Sequence, residues 1–182
     1  MNKAVFLDRD GVINYNNEYY VKNEKEFRLL PKVIDALKLL KKNGYLLIIV
    51  TNQGGISKGV YTEEDLKRIH KKMFNIFKKN KVEIDALYYC PHHDKDKCNC
   101  RKPNTKLFKI AKKKFNISFR KSFLVGDKTS DIKAGKNIRC KTILVKTGWG
   151  GRDKRFRVKP HFIVKNLYEA AKLISKLEKV YK

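Results

Sequence analysis

Two carboxylates near the start of the chain have a spacing that suggests chemistry. Asp8 and Asp10 are two positions apart and directly follow the apolar run Ala4–Leu7. If the backbone is still extended there, its two-residue period points both carboxylates to one side, where their charges repel each other. A hard cation such as Mg²⁺ relieves such repulsion. The pattern indicates a magnesium site, although Asp and Gly are also common in solvated turns.

A second group of possible metal ligands lies in the middle of the chain. Cys90 and His92 are two positions apart, as are Cys98 and Cys100, so each pair can point one way from an extended segment. Three thiolates and one imidazole form a closed tetrahedral shell of the structural zinc type, which leaves no position for a substrate. His93 is the alternative to His92, and a disulfide or free thiols are the alternatives to zinc.

The predicted zinc loop, residues 90–100, ends directly before Arg101 and Lys102. Charged side chains on a metal-clamped loop can be aimed at a phosphate with little ordering cost. We therefore expect this loop to position both residues for an anionic substrate. Cys140 is far along the chain and is expected to take no part.

Two further apolar runs also end in polar residues. Residues 45–50 lead into Thr51 and a glycine-rich turn, which suits an anion cradle but also follows many ordinary strands. Residues 122–125 lead into Asp127, which offers a third carboxylate to Mg²⁺ if the strands are neighbours. Asp131 could cap the following helix or support the metal indirectly.

Strands and helices are predicted to alternate along the chain. This pattern implies an α/β fold with a doubly wound, mainly parallel sheet and a site at its carboxyl edge. A histidine within the second helix, His70, lies beside an apolar stripe, which favours a structural role over a catalytic one. The predicted strands are 4–7, 45–50, 86–89, 122–125, 142–145 and 162–164, and the predicted helices are 31–43, 62–77, 103–111 and the segment from 167 onward.

Length and composition set the class of protein. A chain of 182 residues, 42% of them hydrophobic, fits one compact domain over 1–182. The net charge of +26 favours anionic partners, but the lysines are spread along every segment, so nucleic acid is not the expected partner. No apolar run is long enough to span a membrane, and no signal peptide is evident. We expect a cytoplasmic monomer.

Four motifs, in order, resemble those of the haloacid dehalogenase (HAD) superfamily of phosphohydrolases. The Cys-x-His and Cys-x-Cys pairs resemble those of its histidinol-phosphatase-like branch. Within that branch, the stretches 51–59 and 90–93 are similar to those of the heptose bisphosphate phosphatases. The resemblance implies a Rossmann-like core without a large cap domain. The four motifs are Asp8-Arg9-Asp10-Gly11, Thr51-Asn52-Gln53, Arg101-Lys102-Pro103 and Gly126-Asp127-Lys128.

The resemblance also implies a mechanism. Asp8 would attack phosphorus and form an aspartyl-phosphate, while Asp10 would protonate the leaving oxygen and later activate water. Mg²⁺ would be held by Asp8, the backbone carbonyl of Asp10 and Asp127. Thr51 and Lys102 would hold the transferring phosphoryl oxygens.

The implied substrate is a small phosphorylated sugar, a heptose 1,7-bisphosphate that loses its 7-phosphate. Residues 16–19 differ from the corresponding family loop, and the five-residue gap between His92 and Cys98 is also typical of histidinol-phosphate phosphatases. Histidinol phosphate therefore remains an alternative substrate. Because of the net charge of +26, two further alternatives remain: a polynucleotide 3′-phosphatase and a zinc-stabilised nucleic-acid-binding protein. The expected substrate contacts are Arg9, Asn16, Asn17, Glu18, Tyr19, Asn52, Gln53, Gly54, Arg101 and Lys128.

Overall fold

A parallel β-sheet forms the centre of the computed structural model, which describes residues 1–16 and 20–180. Its six strands lie in the order β3-β2-β1-β4-β5-β6, and every neighbouring pair is parallel. The strands are β1 (Ala4–Leu7), β2 (Leu46–Asn52), β3 (Ala86–Cys90), β4 (Phe123–Gly126), β5 (Lys141–Val145) and β6 (Phe162–Val164). The helices are α1 (Val33–Lys42), α2 (Glu63–Lys79), α3 (Lys106–Phe115), α4 (Thr129–Asn137) and α5 (Leu167–Val180).

Helices cover both faces of the sheet. In β1, Val5 and Leu7 pack into a core with α1, α2 and α5, whereas Ala4 and Phe6 pack into a second core with α3 and α4. Because side chains of a strand alternate between faces, a strand buried on both sides is apolar at every position. The prediction of a doubly wound α/β fold is therefore confirmed.

The helix starts illustrate what local sequence can specify. α2 begins after Thr62, as predicted. The Thr62 hydroxyl accepts the Asp65 N–H at 3.1 Å, and the Asp65 carboxylate accepts the Thr62 N–H at 2.8 Å, so the two residues cap the helix reciprocally. α3 begins at Lys106, so the prediction that Pro103 opens it was wrong. A turn precedes this helix instead, in which the Asn104 N–H donates to the Arg101 carbonyl at 2.8 Å.

The carboxyl ends of the three central strands meet at one edge of the sheet. Leu7 is in register with Ile49 of β2 and with Val125 of β4. The polar residues that complete or follow these strands are thereby brought together. Among the helices of residues 1–16 and 20–180, none is both long and apolar enough to cross a membrane.

Candidate active site and metal sites

Three carboxylates converge at the edge of the sheet. Asp8, Asp127 and Asp131 each place an oxygen within 4.8 Å of the others, and all three side chains are buried. Asp8 follows β1 and Asp127 follows β4, as predicted from their strand ends. Asp131 lies in the first turn of α4, where its Oδ2 also accepts the Lys128 N–H at 3.0 Å. It therefore caps the helix and joins the cluster at the same time.

Asp127 has the surroundings of a cation ligand. Its Oδ1 is buried without a hydrogen-bond partner among the described residues, while Oδ2 accepts the Trp149 N–H at 2.7 Å. Gly11 and Gly148 have φ of 84° and 61°, and a Cβ on either would lie 2.3 or 2.2 Å from this Oδ2. Burial, Asp8 and Asp131 raise the pKa of Asp127 well above its usual range. This donor set fits a hard cation such as Mg²⁺.

Lys102 places a positive charge beside this cluster. Its ammonium lies 2.7 Å from Asp8 Oδ1 and 2.7 Å from Asp131 Oδ1, and it donates to the Val50 carbonyl at 2.7 Å. Burial alone would lower the pKa of Lys102, but the carboxylates of Asp131 and Asp8 raise it. The lysine therefore remains protonated and can contact an anionic group at Asp8.

Asp10 is held separately from the three carboxylates. Its side chain accepts hydrogen bonds from Arg9 at 2.9 Å, from Asn14 at 2.8 Å and from Gln53 at 2.9 Å. Burial would raise the pKa of Asp10, but Arg9 and these hydrogen bonds lower it. The same Gln53 amide group donates to Thr51 Oγ1 at 2.8 Å, so the end of β2 fixes the orientation of Asp10.

The expectation that Arg9 contacts substrate was wrong. Its side chain is fully buried, and the guanidinium bonds Asp10, Gln53 at 3.1 Å and His70 Nε2 at 3.1 Å. Arg9 is therefore a positioning residue for Asp10. Burial and Arg9 lower the pKa of His70 to about 3. His70 is thus a neutral histidine with the structural role that the sequence favoured.

A polar cavity of about 260 Å³ opens over these groups. Asp8, Asp10 and Lys102 contribute to its lining. Asn17, Glu18 and Tyr19 lie outside the described residues. The other expected contacts in its lining are Asn16, Asn52, Gln53, Gly54, Arg101 and Lys128. Charged residues that the sequence did not single out also line it, namely Lys58, Asp94, Asp153 and Arg155.

The four predicted zinc ligands form a compact cluster. Their donor atoms lie within 4.8 Å of one another, and the cysteines are not disulfide-bonded. The Sγ–Sγ distances are 3.0 Å for Cys90 and Cys100, 3.6 Å for Cys90 and Cys98, and 3.5 Å for Cys98 and Cys100. A tetrahedral ion with Zn–S bonds of about 2.3 Å sets sulfur atoms about 3.8 Å apart. The donor set therefore fits Zn²⁺ after a small expansion.

Two histidines next to each other have different roles. His92 Nδ1 lies 3.3 Å from Cys100 Sγ and 3.6 Å from Cys90 Sγ. His93 Nδ1 instead accepts the Lys95 N–H at 3.5 Å, and His93 contributes to the lining of the cavity. The geometry thus favours His92 over His93 as the fourth ligand. Cys140 is buried in the core on the α3 and α4 side and does not belong to this group of four donors.

The residues that follow the predicted zinc loop are docked onto the sheet. The Lys102 N–H donates to Asn52 Oδ1 at 3.0 Å, and Asn52 Nδ2 donates to the Lys102 carbonyl at 3.2 Å. Arg101 forms an ion pair with Asp94 and donates to the His92 carbonyl at 3.1 Å. These contacts hold Lys102 over Asp8 and keep Arg101 in the wall of the cavity.

Comparisons with known proteins agree with this geometry. Residues 99–170 match the HAD-hydrolase-like family model. The D-glycero-beta-D-manno-heptose-1,7-bisphosphate 7-phosphatase of Haemophilus influenzae is 42% identical over 155 residues, which cover 81% of this chain and 84% of that protein. The enzyme of the same name from Vibrio cholerae is 43% identical over 153 residues, with coverages of 80% and 82%.

A solved structure is similar over nearly the whole fold. It is the D,D-heptose 1,7-bisphosphate phosphatase from B. bronchiseptica complexed with magnesium and phosphate. The TM-score is 0.89 at 28% identity, and the match covers 96% of this chain and 99% of that chain.

Proposed function

The chain belongs to the D-glycero-β-D-manno-heptose-1,7-bisphosphate 7-phosphatase family of HAD-like hydrolases, and we propose that it is a Mg²⁺-dependent phosphatase that removes the 7-phosphate of this sugar. One observation carries the proposal most directly. Asp8, Asp127 and Asp131 converge, Asp8 and Asp131 contact Lys102 in the lining of a polar cavity, and Asp127 keeps a buried oxygen without a partner among the described residues. The names of the relatives favour the β anomer.

In the proposed reaction Asp8 is the nucleophile. One of its carboxylate oxygens forms a bond to phosphorus while the bond from phosphorus to the sugar oxygen breaks, which leaves an aspartyl-phosphate. Lys102 and Thr51 contact the phosphoryl oxygens as they move between the sugar and Asp8. The short contact between Lys102 and Asp8 supports this role, because the ammonium already lies 2.7 Å from the attacking group.

Asp10 is the proposed acid and base. It gives a proton to the departing sugar oxygen, and it then takes a proton from the water that attacks the aspartyl-phosphate. Arg9 and Gln53 favour the ionised form of Asp10, so its first proton comes from the substrate: a monoanionic phosphate ester transfers its proton to Asp10 before the bond to the sugar oxygen breaks. Their hydrogen bonds keep Asp10 in one orientation through both steps.

The residues that would hold Mg²⁺ are Asp8, Asp127 and Asp131, with the backbone carbonyl of Asp10. Bound there, the ion would neutralise phosphoryl charge and reduce its repulsion of the Asp8 carboxylate. The side chain of Asp10 has other partners, so its carbonyl is the group available for this role. We propose Asp131 as a ligand because one of its oxygens lies within 4.8 Å of oxygens of Asp8 and Asp127.

We also infer that Zn²⁺ occupies the cluster of Cys90, His92, Cys98 and Cys100. Four protein donors close the shell, so this metal would hold the loop and take no part in the reaction. Its effect would be to order the segment that leads into Arg101 and Lys102. Substrate contacts by Asn17, Glu18 and Tyr19 remain predictions.

The experiment is Mg²⁺-dependent phosphate release from a small panel. It compares both anomers of heptose 1,7-bisphosphate, histidinol phosphate and a 3′-phosphorylated oligonucleotide. We expect kcat/KM to be highest for the β-heptose bisphosphate. Preference for histidinol phosphate would support the proposed reaction but contradict the proposed substrate. Inactivity towards all four compounds would overturn the proposal.

One observation favours a second candidate, the binding of nucleic acid. An open groove of about 940 Å³ runs along α3, and its lining includes Lys106, Lys109, Lys113 and Lys114. Phosphate contacts by these lysines would make affinity fall steeply with salt. We expect an oligonucleotide to bind only weakly and to leave phosphatase activity unchanged. Tight, salt-dependent binding that is lost on Lys109→Gln and Lys113→Gln substitution would favour this alternative.

A further inference from the structure

One carboxylate in the wall of the cavity is shared by two arginines from different segments. Asp94 lies within the zinc loop, between His92 and Cys98. It forms ion pairs with Arg101, directly after that loop, and with Arg155, which lies between β5 and β6. All three residues line the cavity. Asp94 therefore links residues 90–100 to the segment between β5 and β6.

The backbone on both sides of Arg155 is anchored. Asp153 accepts the Thr129 N–H at 2.9 Å and the Thr129 hydroxyl at 2.6 Å. The Phe156 N–H donates to the same hydroxyl oxygen at 3.1 Å. Thr129 begins α4, the helix whose first turn carries Asp131. The backbone at Arg155 is thus fixed relative to the proposed magnesium ligands. This lowers the entropic cost of ordering Arg155 against a substrate.

The tip of Arg155, by contrast, is only weakly held. Its side chain is 48% exposed, and Asp94 is its hydrogen-bond partner among the described residues. Arg101 has a second acceptor, the His92 carbonyl at 3.1 Å. Ion pairs at this exposure are weak. The Arg155 guanidinium also lies over the Phe156 ring, 5.6 Å from the ring centre, which leaves the N–H groups at its edge accessible. Arg155 can therefore leave Asp94 at little cost, and among the described residues no other acceptor holds its remaining N–H groups.

The charge and shape of this part of the cavity fit a second phosphate. Two guanidinium groups share one carboxylate, and Lys58 adds another positive charge to the lining. A guanidinium matches phosphate oxygens with two parallel hydrogen bonds. A bisphosphate whose reacting phosphate is at Asp8 has its other phosphate available for such a contact.

We propose that Arg155 is a specificity-determining residue that exchanges Asp94 for the phosphate that is not hydrolysed. This inference rests on the proposed function and specifies how the same site would distinguish a bisphosphate from a monophosphate. Arg155 could not be identified from the sequence, because it lies within a run of basic residues and only the fold brings it to Asp94.

The test measures kcat/KM for heptose 1,7-bisphosphate and heptose 7-phosphate in Arg155→Gln, with Arg157→Gln as the control. Arg157 is an exposed arginine of the same segment that does not line the cavity. We expect Arg155→Gln to lower kcat/KM for the bisphosphate about tenfold, mainly through KM, and to leave the monophosphate within about twofold. Arg155→Lys should recover part of the loss, since it keeps the charge.

Equal losses on both substrates would overturn the inference and show that Arg155 only supports the zinc loop. No loss on either would overturn it as well. A binding measurement distinguishes failure of this inference from failure of the proposed function. Calorimetry compares fructose 1,6-bisphosphate with fructose 6-phosphate on Asp8→Asn, with and without Arg155→Gln. We expect tighter binding of the bisphosphate that disappears with Arg155→Gln, even if no heptose is hydrolysed, and equal binding throughout would contradict the inference.

Discussion

The two clusters of possible metal ligands are built in opposite ways. Asp8, Asp127 and Asp131 come from two distant parts of the chain, and the parallel sheet brings them together in a buried position. The three cysteines and His92 come from residues 90–100 and lie at the edge strand β3, where three of the four are partly exposed. The first cluster is a product of the fold, whereas the second is a product of local spacing.

This difference predicts opposite energetics. Carboxylates buried beside one another repel until a cation binds, so the fold has to hold the first cluster together. A closed thiolate shell acquires its geometry by binding a metal, and the free energy of metal binding then stabilises the loop. A substitution among the carboxylates should therefore leave the cysteine cluster intact.

The sharpest test of this independence is Asp8→Asn. We expect kcat/KM to fall by at least about ten-thousandfold, since the nucleophile is lost. The fold should survive because Lys102 keeps its contacts with Asp131 and the Val50 carbonyl. Steady-state kinetics and zinc analysis check the two halves of the prediction. Asp35→Asn, at an exposed position of α1, is the control. Loss of zinc together with activity would show that the clusters depend on each other.

Cys98→Ser removes one thiolate from the cysteine cluster. Without one thiolate the shell opens, so we expect loss of tightly bound zinc and a destabilisation of about 3 kcal/mol. For a chain of this size that lowers Tm by about 10 °C. Calorimetry and metal analysis measure both effects. Cys140→Ala should keep the zinc, because Cys140 is not one of the four grouped donors. A Cys98→Ser variant with normal zinc content would rule out the four-ligand site.

A pH experiment examines how the fold supports Asp10. Burial and Arg9 lower the pKa of His70 from 6.5 to about 3, so the native state keeps it neutral where the unfolded chain protonates it. The associated stability is complete above pH 6.5 and decreases as the pH falls towards 3. Between pH 7 and pH 5 this removes about 2 kcal/mol.

His70→Gln, which keeps an acceptor for Arg9, should lose less stability over this interval than the unsubstituted chain. Thermal unfolding at pH 7 and pH 5 provides the comparison. Identical pH dependence in the two proteins would mean that His70 is not held neutral by its surroundings.

The smallest expected effect on stability is that of Asp127→Asn. Asparagine keeps an oxygen for the Trp149 N–H but removes one charge from the buried cluster. At pH 8 without added Mg²⁺ we expect stability to rise by about 1 kcal/mol. Mg²⁺ should stabilise the unsubstituted chain and should have little effect on Asp127→Asn. Thermal shift assays with and without Mg²⁺ measure both, and a destabilised variant that still responds to Mg²⁺ would contradict the account.

The local parts of both sites could be predicted from the sequence. An apolar run followed by an acidic residue marks a buried strand that ends at the sheet edge, which placed Asp8 and Asp127. The spacing of Cys90, His92, Cys98 and Cys100 lies within one short segment, so it is visible without the fold.

What the sequence could not show depends on distant partners. Arg9 lies between two aspartates and looked like a residue facing substrate, but Gln53 and His70 supply the contacts that bury it. The start of α3 was misplaced because Asn52 docks Lys102 and leaves Pro103 in a turn. Arg155 was missed for the same reason, since only the fold brings it to Asp94.

The most direct test of the central claim is to find where the phosphoryl group resides during turnover. Rapid acid quenching of the enzyme with Mg²⁺ and β-heptose 1,7-bisphosphate, followed by peptide mass spectrometry, locates it. We predict a phosphoryl group on Asp8, with none on the cysteine cluster and none anywhere in Asp8→Asn. A phosphoryl group on another residue, or phosphate release by Asp8→Asn at the normal rate, would contradict the account.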